Sequence, residues 1–336
     1  AGFTTTQVAA LSTAQVASLT NAHLNALTDA QLQALTSAQI GALPTASLST
    51  LTTHQTVGLS AGQITALTTA QAASLLGTQV NALTSTQLGG LETQDLAALT
   101  TDQVRAMSPD QVASLSTTQV VALTTAQVGA MSTGQLNGLS SEQTAALSTD
   151  QLAALSTAQV VAITTQAIEG LSSTAMSSLS TAQLSALTTG QVAALSVEQM
   201  QSITATALPS MTTAQVASLS DAQLGAFSGQ QWAALNTTQF AALGSSQLNG
   251  LSTTSVAALT TAQFAALTTE QLQGMRNDQI TAIEVADLNA MGTQVISGMS
   301  TQQVAALSSG QVSALSTTLL SAMTSEQVGA LQTDDM

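Results

Sequence analysis

A large apolar residue returns every eight positions along the chain. Stepping by eight from Phe3 to Leu331 lands on 42 residues, and every one is Leu, Met, Ile or Phe. No insertion or deletion shifts the frame. With that residue as position 1, as at Leu155, position 2 is Ser or Thr in 33 octads and position 5 is Gln in 31. Position 6 is almost always a second large apolar residue, as at Val160, and position 8 is Ala, Ser or Gly except at Thr50. Self-similarity at a fixed period points to a solenoid or array.

Each octad also carries a helix start. Ser/Thr-x-x-Gln is a capping box: the hydroxyl accepts from the backbone N–H three residues on, and the Gln reaches back to the N–H of the cap. The apolar residues before the cap and at the fourth helical position form a hydrophobic staple. Ser12 with Gln15, Ser116 with Gln119 and Ser156 with Gln159 are predicted caps of this kind. The predicted spine runs through Leu11, Leu19, Leu27, Leu35, Leu115, Leu155, Val160 and Leu267. About six residues follow each cap before the next arrives, so one octad predicts one very short helix. The fold class expected is all-α: residues 1–336 as a single continuous solenoid of 42 octapeptide repeats.

Two alternatives fare worse on geometry. A continuous helix turns about 800° per octad, so the Leu row would drift by about 80° each time. A β-solenoid needs alternation, yet positions 6 and 8 fall on one face of a strand and position 1 on the other. Ala and Gln are abundant and Tyr is absent, which is poor strand composition. The β-solenoid is the alternative architecture, because octads dense in Ser, Thr and Val also suit it.

Charge placement favours helices. Of 17 acidic residues, 16 lie at positions 2 to 5, Asp29, Asp102, Glu142 and Glu198 among them, with Glu169 the exception. Carboxylates are favoured at helix N-termini by about 0.3–1 kcal/mol each. Pro109 takes the first helical slot, where Pro fits best, and Arg105 lies in a last turn. Pro209 falls inside a predicted helix, and a kink or early end is expected there.

Helices this short do not stand alone. Positions 1 and 6 must be buried against neighbouring octads, and position 8 must stay small because another backbone passes close. A two-octad, 16-residue helix–turn–helix layer is one candidate unit. The most irregular octads lie at residues 44–59 and 276–296, and the bulkiest core at Phe227, Trp232, Phe240 and Phe264.

A formal net charge of −15, with two Lys+Arg in all, argues against nucleic acid and against anionic membrane surfaces. With no Cys, disulfides and thiolate metal sites are excluded. No run of 18 apolar residues exists, so no membrane insertion is expected. The chain starts and stops within the repeat, so it reads as a processed product or part of something longer.

Candidate chemistry is sparse. His23 stands in a Gln slot and reads as a capping side chain, and His54 as a solvated first-turn residue. Asp334 and Asp335 are adjacent carboxylates that read as terminal charge. The acidic first turns could collect calcium if neighbouring octads bring two carboxylates together, and they read first as dipole-matched surface charge. There is no phosphate-binding loop and no nucleophile elbow. The sequence therefore suggests no cofactor, no metal and no enzyme.

The run Leu115-Ser116-Thr117-Thr118-Gln119-Val120-Val121-Ala122-Leu123-Thr124-Thr125-Ala126-Gln127-Val128 resembles the repeat tracts of very large secreted bacterial surface proteins, adhesin-like or haem-utilisation-like. The resemblance covers nearly the whole chain. It implies an extracellular or cell-surface role, and it transfers no haem site, since only two isolated histidines are present. The expected function is structural: a stiff fibre or self-assembling filament whose partners are copies of itself. The alternative is the stalk or ligand-binding solenoid of an adhesin, with a cell-surface or matrix partner.

Overall fold

The computed structural model describes residues 2–331. Over that span the chain is all-α, with forty α-helices of four to six residues, one 3-10 turn and no strand among the described residues. The β-solenoid alternative is thereby set aside.

The octad 155–162 shows why each helix starts and stops where it does. Ser156 is extended, at φ −69° and ψ 163°. Its hydroxyl accepts from the Gln159 N–H at 3.3 Å, and the Gln159 Oε1 accepts from the Ser156 N–H at 2.7 Å. Helix Thr157–Ala162 follows, and Ile163 returns to extended backbone at φ −64° and ψ 127°. The Ile163 N–H closes the last turn on the Val160 carbonyl at 3.2 Å. Positions 1 and 2 thus form an extended two-residue corner between helices. Among the described residues no φ is positive, so no corner requires glycine.

The helices form two compact units, one ending at Ser178 and one beginning at Leu179. In the first, helix Thr69–Ser74 packs on Thr93–Ala98, and Gly77–Ala82 on Thr101–Ala106. In the second, Ser245–Asn249 packs on Thr269–Gly274, and Thr261–Ala265 on Val285–Ala290. Partners are always three helices apart. The coil is therefore three octads, and the two-octad layer is corrected: three helices and three corners bring the chain back over itself. Side chains at position 7 rivet successive coils. Asn81 Nδ2 donates to the Ala106 carbonyl at 2.7 Å, and Asn249 Nδ2 to that of Gly274 at 2.8 Å.

The core of each unit is lined by positions 1 and 6. Trp232, Phe240 and Phe264 are fully buried at position 6, and Phe227 is buried at position 1. Thr56 and Thr144, polar at position 6, are also fully buried. Their hydroxyls donate to the carbonyls four residues back, Thr52 at 3.0 Å and Ser140 at 2.8 Å. A polar side chain enters the spine here by satisfying itself within its own helix.

The prolines act through the backbone. Pro109 opens helix Pro109–Ala113 behind an intact Ser108 capping box. Pro44 offers no side-chain cap, and its helix, Thr45–Leu48, is only four residues long. Around Pro209 the α-helix is replaced by the 3-10 turn Leu208–Ser210.

Position 8 is small because a neighbouring coil passes against it. A Cβ added at Gly170 would overlap the Ser141 backbone carbonyl, whereas one at Gly62, which is at position 4 on the outer side of its helix, would meet open space. Gly170→Ala should cost about 1–3 kcal/mol through overpacking against backbone. Gly62→Ala, inside helix Ala61–Thr65, should instead stabilise by about 0.5–1 kcal/mol. Urea unfolding followed by far-UV circular dichroism checks both. Equal effects would mean that coil contact does not set residue size at position 8.

Candidate functional site

The glutamines at position 5 hold the coils together. An α-helix leaves its last carbonyls without partners. Here they receive a glutamine amide from the following coil. At Gln135, Oε1 accepts from the Ser132 N–H at 2.7 Å, while Nε2 donates to the carbonyls of Val104 and Met107, each at 2.8 Å. In the second unit, Gln279 Nε2 donates to Leu248 at 2.8 Å and Leu251 at 2.7 Å, with Oε1 accepting from the Arg276 N–H at 2.7 Å. The acceptors lie 31 and 28 residues earlier, at positions 6 and 1. One amide thus caps the start of its own helix and the end of another. Gln135 is 1% exposed and Gln279 is fully buried, so these bonds form away from water.

The predicted spine and cap residues take the following places. Leu35, Leu115, Leu155, Val160 and Leu267 are buried, whereas Leu11, Leu19 and Leu27 are half-buried in the first described coil. The boxes Ser12–Gln15, Ser116–Gln119 and Ser156–Gln159 are all formed. Gln119 also donates to the carbonyls of Leu88 at 2.8 Å and Leu91 at 3.1 Å, and Gln159 to that of Met131 at 2.7 Å. Gln15 is exposed and serves its own helix. That first coil leaves an apolar hollow of about 390 Å³ bordered by Phe3, Val8, Leu19, His23 and Leu35.

His23 acts as a cap, its Nδ1 accepting from the Thr20 N–H at 3.3 Å. His54 is exposed and lies 3.2 Å from Asp29 of the preceding coil, a rim pair of little energetic weight. The two histidines do not converge, and no group of three His, Cys, Asp or Glu among the described residues could hold a metal ion. Asp334 and Asp335 lie outside the described residues.

First-turn carboxylates are held as their helix starts dictate. The Glu142 and Glu198 carboxyls lie below the usual range, chiefly through their own backbone N–H and then through the cap hydroxyls of Ser140 and Ser196. Asp278 is lowered mainly by the Arg276 guanidinium, which also donates to the Asn249 and Leu251 carbonyls of the coil before. Arg105 lies 3.4 Å from Asp102 and donates to the Ala130 carbonyl.

Substitutions in the Gln slot mark where the pattern gives way. At Ala167 no amide is present, and a cavity of about 170 Å³ lies between Leu139, Thr164 and Ala167. Asp95 is 1% exposed, and neither carboxyl oxygen has a hydrogen-bond partner. Burial, and then the Glu92 charge, pushes its carboxyl up.

The six residues Ala122-Leu123-Thr124-Thr125-Ala126-Gln127 run from a small position 8 through the corner to the ladder glutamine. A family model described as ALTTAQ repeat matches residues 88–125, 121–157, 145–181, 160–197, 230–261, 240–277 and 280–317, together more than half of the chain. The chain belongs to the ALTTAQ-repeat family. No curated protein matches it significantly. In this ALTTAQ-repeat chain the family's hexad is the element that joins coils. Among its described residues no helix is long and apolar enough to cross a membrane.

Proposed function

We infer that this ALTTAQ-repeat protein is a non-catalytic structural element outside the cell, a stiff fibre or a self-assembling surface filament. The observation that carries the reading is uniformity. The same amide joins coil to coil within each unit: in the first, Gln39 donates to Leu11 at 2.6 Å, and in the second, Gln327 donates to Met299 at 2.8 Å. A spacer or fibre gains from identical units, whereas a binding site requires some units to differ. The extracellular setting rests on the resemblance of the octads to repeat tracts of large secreted bacterial surface proteins.

The second reading, an adhesin stalk or ligand-binding solenoid, draws on the divergent octads at residues 276–296, where Arg276, Glu284 and Gly292 replace the hydroxyl caps. Negative-stain electron microscopy with light scattering over a concentration series separates the two. Long fibres that grow with concentration are expected. Short rods that stay monodisperse at high concentration would rule out self-assembly and leave the stalk. Antibody labelling of intact cells tests the location.

A further inference from the structure

Glutamate takes the cap position twice in the chain, at Glu92 and Glu284. Aspartate takes the Gln slot three times, at Asp95, Asp287 and Asp335. The two substitutions coincide at both glutamates, as Glu92-Thr93-Gln94-Asp95 and Glu284-Val285-Ala286-Asp287, while Asp335 follows Gln332. Independent drift of the two positions would rarely align them twice. Neither octad has a side-chain cap hydrogen bond, so the change does not make a better cap.

Asp95 and Asp287 are 1% and 5% exposed. Gln87 donates to Thr56 and Leu59, and Gln103 to Ala72 and Leu75. The same register sets Asp95 against the carbonyls of Ile64 and Leu67, at the C-terminal end of helix Ala61–Thr65. Likewise Gln279 donates to Leu248 and Leu251, and Gln303 to Leu272 and Met275. Asp287 is therefore set against Val256 and Leu259, at the end of helix Thr253–Ala257. Where Gln holds the slot it supplies an NH₂ donor to these oxygens. Here it brings a carboxylate to a group of acceptors, and both Asp95 oxygens lack a partner. A positive species between them answers all of these oxygens at once, and a helix C-terminus favours positive charge.

We propose that each Glu-x-x-Asp octad binds a calcium ion, with the buried aspartate and the carbonyls of the preceding coil as ligands and the cap glutamate completing the charge. The set is all oxygen and mixes carboxylate with carbonyl, as calcium accepts. Magnesium demands a near-regular octahedron and gives up its water reluctantly, so it fits less well. The ion takes the place of the amide and joins two coils. No other ionisable side chain competes. The helices packed on Thr93–Ala98 are Thr69–Ser74 and Thr117–Ala122, and those packed on Val285–Ala290 are Thr261–Ala265 and Ser309–Ser313; all four lack titratable residues. The proposal stands apart from the fibre reading, since a stalk would bind the ion equally well.

The test is calorimetric titration of the full chain with calcium chloride at neutral pH, with thermal melts in calcium, in magnesium and in chelator. Two calcium ions per chain are expected, with dissociation constants of about 10⁻⁴–10⁻³ M, the range of sites with few charged ligands, and a Tm that rises with calcium but less with magnesium. The double variant D95Q/D287Q restores the common slot. It should fold, melt at a calcium-independent temperature and bind no stoichiometric calcium. The double variant D102N/D150N removes the same formal charge from exposed first turns and should keep both responses. Loss of both in D102N/D150N would reduce the effect to diffuse counter-ion binding and overturn the proposal. So would a calcium-indifferent wild type whose stability falls as pH rises through the raised Asp95 range, since the slot would then hold a proton.

Discussion

Gln135→Glu should destabilise the first unit by about 3–5 kcal/mol at neutral pH, more than Gln135→Ala, which should cost about 1–3 kcal/mol. The substitution adds no bulk. In an isolated capping box Glu serves as well as Gln, so a purely local role for Gln135 predicts almost no change. In the folded coil the side chain is 1% exposed, and its Nε2 donates to Val104 and Met107. A carboxylate there turns two donor–acceptor contacts into repulsions and buries a charge. The new carboxyl would titrate above its unfolded value. The loss should therefore shrink as the pH falls and return as the pH rises through that raised value. Urea unfolding at two pH values measures it. A neutral result for Gln135→Glu would show that the ladder bonds do not hold the coils.

Trp232→Ala should remove about 3–5 kcal/mol from the second unit. Trp232 is fully buried at position 6, with its ring centroid 5.6 Å from that of Phe227. Its Nε1 has no hydrogen-bond partner, so the indole contributes packing and no polar bond. Trp232→Phe should accordingly cost much less than the alanine change, because it removes an unsatisfied N–H along with the lost volume. As the single tryptophan in the chain, Trp232 also reports by fluorescence on its own surroundings. In the wild type its emission should shift red in the same step in which helicity is lost. Comparable losses for Phe and Ala would mean that the indole N–H has a partner after all.

Much of this was legible in the octad because the signals are local. The cap, the box glutamine and the staple lie within six residues of one another, so Ser156, Gln159 and Val160 announce a helix start without knowledge of the rest. The placement of carboxylates, of Pro109 and of Arg105 follows the same short-range logic. The number of octads per coil was not legible. A frame repeating every eight residues looks alike at 16 and at 24, and the bonds that choose between them span 28 and 31 residues.

The second role of the glutamine did leave a trace. A capping box accepts Glu as readily as Gln, yet Glu never occupies position 5. That asymmetry signals a demand for an NH₂ donor rather than for a cap alone. Asp95 breaks the demand outright, and from the octad alone it reads as one more acidic residue near a helix start. Its distinction is burial against another coil, a property of packing and not of spacing. Thr56 and Thr144 look like faults in the spine until their hydroxyls are seen to return to their own helices.

The corners between helices use only ordinary backbone, and the ladder glutamines share the position 1 carbonyl 28 residues back, most of them taking the position 6 carbonyl as well. Octads are therefore close to interchangeable modules. Excising one whole octad would re-pair only the glutamines within about four octads downstream, each with carbonyls one octad earlier in the chain and of the same kind, because the ladder bonds span 28 and 31 residues. A gene encoding such a chain can lose or duplicate 24 base pairs by slippage and still specify a folded product. Length becomes heritable in steps of a third of a coil, and a population can vary the reach of the molecule without inventing new structure.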